Sequence, residues 1–105
     1  MDRDFVISII KFLNRIGATV NIELERRYMN RQGNQVVCMK VEVKLKGKTN
    51  YLQYHCYTIK NGKITYDEGN EVVPIKNGIL AYLGNNKDVD NYFDNLARTE
   101  AKKYF

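Results

Sequence analysis

A single histidine, two cysteines and eight tyrosines are the side chains here best suited to chemistry. His55 lies in the run Tyr51-Leu52-Gln53-Tyr54-His55-Cys56-Tyr57. A histidine base works beside a nucleophile and a group that orients it. Neighbouring residues on a strand point to opposite faces, so Cys56 turns away from His55. The remaining enzymatic arrangement is His55 with Tyr51 or Tyr57. The cysteines offer little more. Cys38 is out of phase with Val37, Met39 and Val41, and Cys56 is in phase with Leu52 and Tyr54. That phasing sends the two thiols to opposite faces, where they do not bridge. Two thiols and one imidazole also fall short of the four ligands of a structural zinc. The chain holds no Gly-rich phosphate loop, nucleophile elbow or metal-ligand spacing. We therefore expect no catalytic residue, no metal and no cofactor, and a module that binds rather than catalyses.

What it binds is suggested by charge. Residues 36–66 hold Lys40, Lys44, Lys46, Lys48, Lys60 and Lys63 against Glu42 alone, so the whole formal net charge of +5 sits in that stretch. Clustered charge bears on partners rather than on fold. Strand alternation places Lys40, Lys44, Lys46, Tyr51, Gln53, His55, Tyr57 and Tyr66 on one outer sheet face, with Arg27 extending it. Lysines between aromatic rings suit single-stranded nucleic acid, where each stacked base contributes ~1–3 kcal/mol. The same tyrosines suit a protein interface, where tyrosine is enriched, and a lysine-bearing face also guards a sheet against edge pairing.

These residues need a scaffold. Residues 4–16 read as a helix: Phe5, Ile9, Phe12, Leu13 and Ile16 recur at helical spacing, Asp2 or Asp4 caps the start, and Gly17 stops it. Val6, Ile7 and Ile10 spread apolar surface around the cylinder, so the helix is expected to be buried. Val20, Ile22 and Leu24 alternate with polar residues along a first strand, 18–29. One register sets them against Leu45, Val43 and Val41 of a second strand. Asn30-Arg31-Gln32-Gly33-Asn34 forms the turn between them. A third strand runs from Tyr51 to Ile59. Asn61-Gly62 suits a type I′ turn that sets Ile59 opposite Ile64 and Tyr57 opposite Tyr66 of a fourth. Val72-Val73-Pro74-Ile75 reads as an edge strand, since proline cannot donate to a ladder. Ile79-Leu80-Ala81-Tyr82-Leu83 reads equally as a short helix or a fifth strand. Residues 87–104 form a second helix with the stripe Val89, Tyr92, Phe93, Leu96, Ala97, Ala101 and Tyr104. Its early aspartates and late basic residues complement the helix dipole.

The expected fold class is α+β: an N-terminal helix, a four-stranded antiparallel meander with room for a short fifth strand, and a C-terminal helix. Helix one covers the oily sheet face, and helix two shares that face or covers the other. A length of 105 residues, 44% hydrophobic and 28% charged, fits one globular domain, 1–105. There is no secretory signal and no run approaching the ~20 apolar residues of a membrane span, so a cytoplasmic protein without a membrane role is expected. The order helix–three strands–helix resembles the double-stranded-RNA-binding domain. That family carries basic residues at the start of its last helix, where this chain has Asp88 and Asp90. The order also loosely resembles cystatin-like folds, and we assign neither family. The leading expectation is a small non-enzymatic regulator or inhibitor that binds a protein partner or a second copy of itself. Nucleic acid on the basic, tyrosine-bearing face is the alternative. The composition suits an accessory protein of a bacterium or phage.

Overall fold

The computed structural model describes residues 3–66, 71–73 and 87–105. Helix α1 (Arg3–Arg15) is followed by strands β1 (Thr19–Met29), β2 (Gln35–Leu45), β3 (Lys48–Lys60), β4 (Lys63–Tyr66) and β5 (Glu71–Val73). Helix α2 (Lys87–Ala101) then runs into a 3-10 turn, Lys102–Tyr104. The sheet is antiparallel in the order β1-β2-β3-β4, with β5 also beside β3. β4 pairs with β3 from Tyr57 to Lys60, and β5 pairs with it from Leu52 to Tyr54. The expected α+β order is present, and β5 supplies the start of the edge strand. The element expected at 79–83 lies outside the described residues.

Local chemistry explains the joints. Gly17, at φ 71°, ends α1. Ala18 N–H donates to Leu13 C=O at 2.9 Å and Gly17 N–H to Asn14 C=O at 3.2 Å, which together make a Schellman cap. Asn61 and Gly62 both have positive φ, as the type I′ turn requires. Lys46 and Gly47 do the same between β2 and β3.

Both helices pack on one sheet face. Ile9 and Leu13 of α1 join Val89, Phe93, Ala97 and Ala101 of α2 over Val37, Met39, Val41 and Val43. Burying a large apolar side chain of this kind stabilises by roughly 1.5–3 kcal/mol. The expectation that α1 is well buried is corrected: Ile7 and Ile10 remain 38% and 42% exposed. α2 shares the face, so only one stripe of α1 reaches the core.

Register decides which side chains lie beneath α2. Val20, Ile22 and Leu24 pair with Val43, Val41 and Met39, two residues from the expected register. An even shift preserves the face. A bulge between Leu24 and Arg26 then sets Arg27 opposite Val37. Between β2 and β3 the register shifts again beyond Val43, so that Val43 pairs with Tyr51 and Lys44 with Thr49. Tyr51, Gln53, His55 and Tyr57 fall opposite Val43, Val41, Met39 and Val37, on the helix-bearing face. Leu52, Tyr54 and Cys56 fall opposite Glu42, Lys40 and Cys38, on the other.

This reverses the phase expected for β3 and with it the reading of the cysteines. Cys38 and Cys56 are directly opposed and form a disulfide, with Cα atoms 4.0 Å apart. That separation is near the ~4.5 Å of a non-hydrogen-bonded antiparallel pair. With Val36 they make a second, small buried cluster.

Candidate functional site

The polar residues of β3 meet a matching row on α2. Asp90, Asp94 and Arg98 recur every four residues and so lie along one side of the helix. They are carried over the sheet by Phe93 and Ala97, both fully buried. Asp90 Oδ1 accepts from Gln53 Nε2 at 3.2 Å and from Tyr51 Oη at 3.4 Å. Asp94 Oδ1 accepts from Tyr57 Oη at 2.7 Å, and its main-chain oxygen lies 3.1 Å from the same hydroxyl. Arg98 Nη2 stands 3.6 Å from Asp94 Oδ2, with its guanidinium 5.7 Å from the Tyr57 ring centre. The Tyr51 ring stacks on Phe93 at 5.0 Å.

His55 sits at the middle of this row, 3% exposed. The Gln53 amide nitrogen is committed to Asp90, so the Gln53 oxygen faces His55 Nε2, at 2.5 Å. Nε2 therefore carries the hydrogen. Nδ1 is left as a lone pair 3.8 Å from Asp94 Oδ1, with no hydrogen-bond partner among the described residues. Burial pushes the imidazole down to about 4, against the upward pull of the Asp94 carboxylate. Burial also raises the Asp90 carboxyl from its ordinary value, opposed by the hydrogen bonds from Gln53 and Tyr51. Tyr51 is raised as well, by burial first and then by Asp90. At neutral pH this is a neutral imidazole among committed carboxylates, and it ties a helix to a sheet.

The expected binding face is thus divided. Tyr51, Gln53, His55 and Tyr57 are buried under α2. Lys40 and Lys44 lie on the opposite face, where each has a carboxylate: Lys40 Nζ is 4.0 Å from Glu23 and Lys44 Nζ is 3.7 Å from Glu42. Lys46 is exposed in the β2–β3 turn, and Arg27 is exposed on β1, turned to the helix side by the bulge. Tyr66 pairs opposite Tyr57, and its side chain lies outside the described residues. The lysines and the β3 tyrosines do not form one surface. The expected strand phase sets Tyr51 and Tyr57 on the outer face, but carboxylates from α2 satisfy their hydroxyls and the rings are buried. No protein family, curated protein or solved structure matches this chain. Among the described residues, no cluster of three potential ligands for a metal ion occurs, and no helix is long and apolar enough to cross a membrane.

Where α2 ends against the β3–β4 hairpin, the surface opens into a groove of ≈ 540 Å³. This lies within the roughly 300–1,000 Å³ of ordinary ligand clefts. Ile59 and Ile64, the pair set by the Asn61-Gly62 turn, supply its apolar floor with Phe105. Lys63, Arg98 and Lys102 stand around them. Lys63 and Lys102 are exposed, and among the described residues no carboxylate lies in ion-pair range of either. Gln35 Nε2 donates to the Tyr104 main-chain oxygen at 3.3 Å, fixing the end of the chain beside β2. Sequence reasoning missed this site. Its signal was two isoleucines flanking a tight turn, together with basic residues in the last turns of an amphipathic helix.

Proposed function

We propose that this chain is a small non-enzymatic regulatory or inhibitory module that binds a protein partner. The observation that carries the reading is the open groove at the helix–hairpin junction, with an aliphatic floor and flanking cations. The inward commitment of His55, Tyr51 and Tyr57 to α2 supports binding over catalysis, because the chain's one imidazole is buried. Exposed Ile7, Ile10, Tyr28 and Met29 add surface for a second copy of the chain, and light scattering reads that directly.

The test compares wild type with Ile64→Asp, each isolated from cells that naturally make the chain. The expected result is one protein partner held by wild type and lost by the variant, with both folded by circular dichroism. A partner held equally by both, or recovery of nucleic acid alone, overturns the reading. Nucleic acid remains the alternative on the strength of Lys60, Lys63 and Lys102, all exposed. As to location, the cytoplasm is the reading from sequence. The Cys38–Cys56 bond weighs against it, because cytosolic glutathione keeps thiols reduced.

A further inference from the structure

We infer that the groove takes a short acidic peptide segment of the partner, one apolar side chain flanked by carboxylates. This rests on the protein-binding reading above and names the chemistry of that partner. Three features of the groove argue for it. Its floor is built from Ile59 and Ile64 side chains with the Phe105 ring, which favours an aliphatic or aromatic anchor over a sugar–phosphate chain. The floor offers a base a single ring, Phe105, between two aliphatic side chains, whereas single-strand binders present successive rings.

The charges around the floor set the sign of the partner. Lys63 belongs to the hairpin and Lys102 to the turn after α2, and both line the groove. Both are exposed, and among the described residues no carboxylate of the chain is in ion-pair range. An anionic segment lying in the groove gains from both, and complementary charge steers its approach. Arg98 is held from behind, by Asp94 at 3.6 Å and by the Tyr57 ring, so its guanidinium is preset at the groove wall. A preset guanidinium suits a planar carboxylate.

The test is fluorescence anisotropy with a labelled peptide in which leucine and phenylalanine are flanked by glutamates. A glutamine-flanked version and an oligothymidylate serve as comparisons. The expected result is binding of the acidic peptide alone, weakened about tenfold or more by Lys63→Glu with Lys102→Glu, since reversal replaces attraction with repulsion. Affinity should also fall as salt rises. Equal binding of the glutamine peptide, abolished by Ile64→Asp but not by the lysine reversals, overturns the acidic chemistry and leaves a protein-binding groove. Binding of oligothymidylate alone, lost with the lysine reversals, overturns both. Binding of none of the three overturns the inference. The lysines are exposed, so their reversal is not expected to unfold the chain, and circular dichroism checks this.

Discussion

Lowering the pH should weaken the attachment of α2 through His55. The imidazole is held down to about 4 in the folded protein, against an ordinary value of 6.5. A depressed histidine favours the neutral form in the fold, so the unfolded chain takes the proton first. The stability this supplies is complete above pH 6.5, falls as pH drops through that value, and levels off below about 4. The linkage relation gives a loss of about 2 kcal/mol at pH 5 and about 3 kcal/mol at pH 4, relative to pH 7. Asp90 works in the opposite sense. Its carboxyl is raised in the fold, so its contribution is present at low pH and lost as pH rises through the carboxylate range. Urea unfolding of wild type and His55→Gln from pH 7 to pH 4 separates the two, because both proteins keep Asp90. The difference between them should shrink with falling pH by the amounts above. A direct reading comes from the imidazole resonances of the only histidine. Titration near 6.5 in the folded protein would refute the reasoning, because an imidazole enclosed between Gln53 and Asp94 does not titrate like a free one.

Three further outcomes are expected. Reducing the Cys38–Cys56 bond, which spans a sequence separation of 18, should cost about 3 kcal/mol from loop entropy in the unfolded chain, read as a lower urea midpoint. Alkylation of thiols in intact cells, followed by mass spectrometry, shows whether the bond forms where the protein works. Tyr57→Phe leaves Asp94 buried with one fewer donor and should cost about 1–3 kcal/mol in urea unfolding. Phe93→Ala empties the space between α2 and the Tyr51 ring and should cost about 3–5 kcal/mol, read as a lower thermal midpoint.

The sequence showed its elements more clearly than its faces. The period-2 run through Val37, Met39, Val41 and Val43 marked β2 and its oily side, and Asn61-Gly62 marked a turn that the structure contains. The helical stripe from Val89 to Ala101 was equally legible. The phase of β3 was not. Alternation identifies two faces but does not say which is inward when one carries leucine and cysteine and the other tyrosine and histidine. The missing information was on α2, where Asp90 and Asp94 fall on the inward side and supply acceptors for Tyr51 and Tyr57. The cysteine pairing was lost with that phase, because a one-step change in β3 carries Cys56 from one side to the other. The groove's parts were in view but their meeting was not, since it joins Ile64 to Phe105 across 41 positions of sequence and exists only once α2 has docked.

β3 reaches its neighbours β2 and β4 through tight hairpins, but it reaches α2 across long stretches of chain: Tyr57 to Asp94 is a separation of 37 residues. During synthesis the meander can therefore pair while its inner side is still wet. Tyr51, His55 and Tyr57 stay hydrated until the helix emerges from the ribosome and settles on them. A nascent chain halted before residue 87 presents a half-clad ribbon, and such an intermediate is what a chaperone would recognise.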